Sequence, residues 1–251
     1  MKVKTIKTHK ITKNDKNIFE ILDLYIKNLK EKSIVVITSK IVSICEGRII
    51  KKISNAQKDE LVKEEAEYYL PKKYNQYGFL ISIKNNIMVA SAGIDESNGN
   101  GYYILWPKNP QKSSNTIREY LVKKFHVKNV GVLITDSKLT PLRWGVTGVA
   151  LSHSGFQAIY SYIGKLDIFG RKLRVEKSNI ADALATAAVV TMGEGNEQQP
   201  LAIIENIDFV KFQKRNPTKQ ELNGAKISLK DDVYSRLLNS VKWEKGIGRF
   251  C

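Results

Sequence analysis

The chain has 251 residues, 42% of them hydrophobic, which suits one large domain, or a main domain with a smaller lobe, and excludes a disordered polymer. No run approaches the roughly 20 apolar residues that span a bilayer, and the opening "MKVKTIKTHKITKNDK" lacks the apolar stretch of a secretory signal. The formal charge is +16, carried mostly by scattered lysines without an Arg-rich block or a basic helix interleaved with aromatics, so a site for a phosphate-bearing ligand suits it better than a nucleic-acid surface.

In chain order, Ile18, Ile21, Leu22, Tyr25 and Leu29 recur at helical spacing, with Asn14 or Asp15 as the expected cap. "SIVVITSKIVS" is rich in β-branched residues and reads as a buried strand running into a turn or a helix start. "KDELVKEEAEYYLP" reads as a helix stopped by Pro71. "GFLISIKNNIMVASAG" reads as two strands joined in a hairpin at "KNN". "KSSNTIREYLVKKF" is expected to be a helix capped near Ser113 or Ser114, and "NVGVLITDS" a buried strand that ends at its acid. "NIADALATAAVVTMG" is an Ala-rich helix suited to close packing and stopped by Gly193, and "PLAIIENI" is a closing strand. Strands alternate with helices, so the expected class is α/β (mixed α+β), and the hairpin argues against a purely parallel sheet. Residues 1–213 are expected to form the core domain, and residues 214–251 a polar C-terminal tail packed on it.

Two apolar strands end alike, one on Asp95 in "AGIDESN" and the other on Asp136 with Ser137 in "VLITDS". Acids at strand ends can meet although distant in sequence, and hard oxygen donors suit Mg²⁺ or Mn²⁺ carrying phosphate. The competing reading is a pair of ordinary turn aspartates. Lys40, Arg48, Arg143 and Arg171 are cations of the type that bind phosphate or carboxylate, although each alone could be plain surface. Glu194 is a further possible oxygen ligand. No Walker A motif, dinucleotide fingerprint or nucleophile elbow is present. His9, His126 and His153 lack zinc spacing; His153 fits an acid–base role or a packed structural one. Cys45 and Cys251 make neither a metal motif nor a disulfide framework, which suits a cytoplasmic location.

Taken together, "ITSKIVSICEGRI", "AGIDESN", "VGVLITDS", "PLRWGVTGVAL", "GKLDIFGRKL", "IADALATAAVVTMGEGNEQQP" and "LKDDVY" resemble, in order and spacing, the gamma-glutamyl ligases of the deazaflavin coenzyme F-420. The resemblance spans about residues 5–238. It implies a family-specific fold with mixed and antiparallel sheets, an intertwined homodimer, and a GTP-dependent ligase using Mn²⁺ or Mg²⁺ with L-glutamate. The reaction it implies phosphorylates a substrate carboxylate, and the glutamate α-amine then attacks the acyl phosphate to form an amide. Position by position it implies metal ligation by Asp95, Asp136, Ser137 and Glu194. It implies nucleotide contacts at Ser39, Lys40 and Asn98, along the loop of Met192, Gly193, Glu194, Gly195, Asn196, Glu197, Gln198 and Gln199, and within residues 8–11. It also implies catalytic roles for Asp95, Asp136 and Arg143, the last being the surviving arginine of a loop expected to face the substrate.

Two departures from the family pattern stand out. Ile44 replaces a common nucleotide-contacting Lys, which leaves GTP against ATP open. "DSKLTPLRWG" lacks one Arg and its preceding Gly. With "YYILWPK" and a tail ending "W-x-K-G", this variant is similar to a bacterial branch linked to folate metabolism, so the implied acceptor is either the F-420 precursor or a pterin or folate carboxylate. Two further readings of the sequence are a non-catalytic basic protein binding RNA or another polyanion on the ligase scaffold, and a phosphotransferase that uses the metal site without glutamate.

Overall fold

The computed structural model describes residues 1–249; Cys251 lies outside the described residues. The chain begins with β1 (Lys2–Ile6), α1 (Ile18–Tyr25), β2 (Ser33–Thr38), α2 (Ser39–Cys45), β3 (Ile49–Lys51) and α3 (Asn55–Glu65). It continues with β4 (Tyr68–Leu70), β5 (Ile81–Lys84), β6 (Ile87–Ala90), β7 (Tyr102–Ile104) and α4 (Pro110–Phe125). Then come β8 (Val130–Leu139), β9 (Val146–Ser154), β10 (Ile159–Ser161), β11 (Lys177–Asn179), α5 (Ile180–Met192) and β12 (Leu201–Glu205). Two short helices, α6 (Lys219–Gly224) and α7 (Ser235–Leu238), and a final strand β13 (Glu244–Lys245) complete it. Both helices and mixed sheets are present, so the class is mixed α/β.

The main sheet runs β1-β12-β2-β8-β9. Only β2 and β8 pair in parallel; the other neighbours are antiparallel. Val35 and Ile37 face one side, against Leu22 of α1 and Ile117 and Leu121 of α4. Ile34 and Val36 face the other, against Leu184, Ala185 and Ala188 of α5. Cover on both faces explains why "SIVVI" is apolar throughout rather than alternating. The small side chains of α5 let it lie directly on β9: a Cβ on Gly148 would stand 2.4 Å from the Ala185 carbonyl oxygen.

A second, four-stranded sheet runs β13-β4-β5-β6, and β3 pairs with β7 beside it. Its apolar core gathers Leu61 and Val62 of α3 with Leu80, Ile94, Tyr103 and Leu105. Inside this lobe lies a buried ionic cluster. Glu65 Oε2 takes Lys84 Nζ at 2.5 Å and Arg48 Nη2 at 2.6 Å. The Lys84 side chain is only 1% exposed.

Four sequence expectations are corrected at their edges. Helix α1 is capped not by Asn14 or Asp15 but by Asn17, whose side chain accepts Phe19 N–H; Asp15 instead holds His9 and the Thr12 backbone. Helix α3 ends at Glu65, well before Pro71, because Tyr68–Leu70 pairs with β5 and tertiary pairing overrides helical pattern. Helix α4 starts earlier than expected, with Asn109 as cap and Pro110 in its first turn, leaving Ser113 and Ser114 inside. Strand β8 does not stop at Asp136; it runs to Leu139, held by β9, whose "VTGVALSHS" had gone unread as a strand.

Glu65→Ala removes the carboxylate shared by two sequestered cations and is expected to cost about 3–5 kcal/mol, measured by denaturant unfolding at neutral pH.

Candidate functional site

The strand directions determine what meets at one edge of the main sheet. Thr38, the last residue of β2, sits opposite Thr135, so β8 passes β2 just as Asp136 and Ser137 follow. Ser39 and Lys40 open α2 at the same level. Strand β12 runs the other way, so its first residue, Leu201, lies beside Ile37 and the 192–199 loop arrives at this edge. Strand β1 ends there too, with Ile6 opposite Leu201. Thr38 N–H donates to the Pro200 carbonyl, and Thr8 N–H to that of Gln198. This is the crevice at the carboxyl ends of parallel strands, where α/β sheets bind ligands.

The second lobe supplies the turn that carries Asp95. After β6 the backbone turns left-handed at three successive residues, Ser91 (φ 51°), Ala92 (φ 52°) and Gly93 (φ 72°). Only the third is glycine, so the turn is strained. Ser82 clasps it: its hydroxyl donates to the Val89 carbonyl and accepts Ala92 N–H. At Gly93 a Cβ would stand 2.1 Å from Trp106 Nε1, so no larger residue fits under the indole. Asp95 is then tied by Ile104 backbone bonds in both directions.

Asp95 Oδ2 takes Lys40 Nζ at 2.7 Å, and Oδ1 accepts Ser97 N–H at 2.7 Å. Burial pushes its carboxyl up, but Lys40 and the Ser97 bonds outweigh this and hold it below the usual range. Asp136 differs. Its Oδ1 accepts Ser137 N–H at 2.8 Å and its Oδ2 accepts the Trp106 indole N–H. Burial raises its carboxyl to about 6, with the nearby Asp95 charge adding to the rise and Lys40 opposing it. Glu194, at the exposed rim, is raised by partial desolvation and then by Asp136, with Asp95 adding to it. Three acids and one lysine therefore share a single electrostatic neighbourhood.

The remaining candidates separate into those at this edge and those elsewhere. Asn98 Nδ2 donates to the Gly195 carbonyl at 2.9 Å, joining the Asp95 turn to the 192–199 loop. In that loop Glu197 folds back onto Gly195 N–H, Gln198 Nε2 reaches the Thr8 carbonyl, and Asn196 is exposed. Gly193 stops α5, Gln199 leads into β12, and the Met192 side chain points into the core. Arg143 sits on the exposed turn between β8 and β9 beside Leu142 and Trp144, and among the described residues no side-chain bond joins it to the acids. Arg48 belongs to the buried Glu65 cluster, and Arg171 pairs with Asp167 on an exposed loop. His153 is buried and pushed down to about 4, which keeps it neutral. Burial raises the Cys45 thiol to about 12, far from a thiolate nucleophile. Trp106, in "YYILWPK", is a site residue that no local sequence pattern marks, since its contact with Asp136 is long-range.

As donors, Asp95, Asp136, Glu194 and the Ser137 hydroxyl are all hard oxygens, the set preferred by Mg²⁺ and Mn²⁺. Among the described residues no three His, Cys, Asp or Glu side chains stand close enough to enclose an ion as they are. Burial is the main cause that raises Asp136 and Glu194, and neighbouring acids add to it; a divalent cation would offset both effects, so the residues fit one chemically. Beside Asn98 lies a cavity of about 150 Å³ walled by Ile11, Asn14, Ile44, Ile49 and Tyr102. A larger open groove of about 1570 Å³ passes Lys138, Thr140 and Pro141, and does not include the acids. Among the described residues no helix is long and apolar enough to cross a membrane.

In metal-free buffer, the raised Asp136 carboxyl contributes stability at acid pH that is lost as pH rises through about 6. Asp136→Asn removes that term. Its melting temperature relative to wild type is expected to climb between about pH 4 and pH 6 and then level off, measured by thermal scans across pH.

Comparison with known proteins agrees with the resemblance read from the motifs. Residues 5–206 match the family model described as F420-0:Gamma-glutamyl ligase. A protein of Methanococcus maripaludis (strain C7) named coenzyme F420:L-glutamate ligase is 36% identical over 192 residues, covering 71% of this chain and 77% of its own. A protein of the same name from Methanocaldococcus jannaschii is 33% identical over 211 residues, covering 77% and 83%. Another from Archaeoglobus fulgidus is 30% identical over 194 residues, covering 71% and 77%. With residues 5–206 matched and several relatives at least 30% identical over most of both chains, the chain belongs to the F420-0:gamma-glutamyl ligase family.

Proposed function

We propose that this protein is a ligase that joins L-glutamate to the carboxylate of a small acceptor through an amide bond, using GTP, or ATP in its place, and Mn²⁺ or Mg²⁺, in the cytoplasm. The observation that carries the reading is the meeting of Asp95, Asp136 and Glu194 with Lys40 where β2 ends beside β8. A carboxylate resists nucleophiles because of its charge and its poor leaving group. Transfer of the nucleotide's γ-phosphate to it gives an acyl phosphate; the glutamate α-amine attacks that carbonyl, the C–O bond to phosphate breaks, and phosphate leaves with the amine's proton lost to solvent. Asp95, Asp136, Glu194 and Ser137 would hold the cation. When bound, it would draw charge from the transferring phosphoryl group and hold its oxygens in place.

The chain's own groups supply the rest. Lys40 sets an ammonium beside the acids, where it can offset phosphate charge. Ser39, Asn98 and the 192–199 loop border the place for the nucleotide, and the small cavity beside Asn98 offers its base a partly apolar wall that includes Ile44. The relatives' names favour the F-420 precursor as acceptor. One observation favours a pterin or folate carboxylate instead: the loop after Ser137 bears exposed Leu142 and Trp144 around a single arginine, a surface suited to a flat aromatic acceptor with fewer anionic groups.

We also propose a homodimer. Leu142, Trp144, Ile168, Phe169 and Val175 on two projecting loops are each at least 78% exposed, more apolar surface than a lone soluble chain ordinarily presents.

Incubated with GTP, Mn²⁺, L-glutamate and each acceptor in turn, the wild type is expected to add one or more glutamyl masses to one of them, read by mass spectrometry. Asp95→Ala and Asp136→Ala are each expected to abolish product and phosphate release while the circular-dichroism spectrum is kept. Turnover by either variant, or no mass gain with either acceptor, refutes the assignment. In the same preparations light scattering is expected to report a dimer, with Trp144→Asp shifting it toward monomer.

A further inference from the structure

Trp106 is the large side chain that joins the two lobes at the site. It is 1% exposed. An indole has one polar group, a donor, and when buried it needs an acceptor; here the acceptor is Asp136 Oδ2. Gly93 is pressed against its Nε1, as the 2.1 Å approach of a Cβ there shows. Lys84 Nζ lies 5.4 Å from the ring centroid, within range of a cation–π contact. Arg48 Nε donates to the Trp106 carbonyl at 3.1 Å, and Arg48 and Lys84 are both anchored on Glu65. The indole is thus fixed from below, from behind and through its own backbone, while its N–H meets the acid.

The two acids are consequently held in different ways. Asp95 is gripped by the ammonium of Lys40, a long side chain still 28% exposed. Among the described residues the hydrogen bonds to Asp136 come from neutral donors, Ser137 N–H on one oxygen and the indole N–H on the other. One hydrogen bond on each oxygen fixes the carboxylate plane and leaves each oxygen a further lone pair, without adding a positive charge that would repel a cation.

We propose that Trp106 is a positioning residue for cation binding: its indole N–H orients the Asp136 carboxylate, and the Glu65–Lys84–Arg48 cluster with Gly93 keeps the indole in place. The inference rests on the metal-dependent reading above and adds a determinant for it. A purely structural role, in which Asp136 merely satisfies a buried N–H, would change stability and leave cation affinity alone.

The test is Mn²⁺ binding to the full-length, metal-free protein without nucleotide, read by electron paramagnetic resonance of the free ion, with thermal unfolding in parallel. Three changes are made at position 106: Trp106→Phe, replacement by the sulfur isostere benzothienylalanine, and replacement by 5-fluorotryptophan. The isostere keeps shape and loses the N–H; the fluorinated ring keeps both. Loss of the donor is expected to weaken Mn²⁺ binding roughly 10- to 100-fold, as lost outer-shell partners do elsewhere, with 5-fluorotryptophan retaining wild-type affinity. If the isostere binds Mn²⁺ as wild type does while Asp136→Ala loses binding, Trp106 has no positioning role and the metal reading stands. If the folded wild type shows no saturable Mn²⁺ binding, the metal reading fails and this inference fails with it.

Discussion

The parallel pairing of β2 with β8 is the constraint from which the site follows. Because the two strands run side by side in the same direction, with Thr38 opposite Thr135, the residues that follow β2, Ser39 and Lys40, come to lie beside Asp136 and Ser137 of β8 although about a hundred residues separate them. The antiparallel strands β12 and β1 then bring the loop before one and the segment after the other to that edge. None of these segments needs a contact of its own to find the others; the register of the sheet places them. The apolar faces of β2, covered by α1 and α4 on one side and α5 on the other, hold that register, since a slip of one residue would exchange the two faces.

The second lobe contributes one acid and the means of holding another. Asp95 arrives on a backbone turn that its own residues would not choose, and Trp106 crosses to Asp136 over Gly93. The two carboxylates end with opposite electrostatics although similar in sequence context. Lys40 compensates Asp95 directly, while Asp136 faces burial and a neighbouring negative charge with two hydrogen-bond dipoles and a weaker influence of Lys40 in support. Carboxylates perturbed in this way are of the kind that cluster at functional sites.

Much of this arrangement was legible in the sequence, for identifiable reasons. β-branched runs marked β2 and β8, the double Asn marked the β5–β6 hairpin, and the alanines of α5 marked a close approach. The acids at the ends of apolar stretches stand out because two such strands end alike, although aspartates are also ordinary turn residues after strands. What escaped was long-range. Tyr68–Leu70 carries a helical pattern yet joins a sheet because β5 and β13 lie on either side of it. Strand β9 mixes glycine, threonine and serine with apolar residues and gains its definition from β8, α4 and α5. Arg48 had the chemistry of a phosphate ligand, and nothing local revealed that Glu65 would claim it. The Trp106–Asp136 bond joins residues thirty positions apart with no pattern between them.

The left-handed run at Ser91, Ala92 and Gly93 makes the placement of Asp95 dependent on remote support. Isolated peptides of this composition would avoid such a conformation; here the Ser82 hydroxyl accepts Ala92 N–H and the Trp106 indole lies against Gly93. The position of the acid is therefore sensitive to substitution at Ser82 or Gly93, neither of which touches its carboxylate.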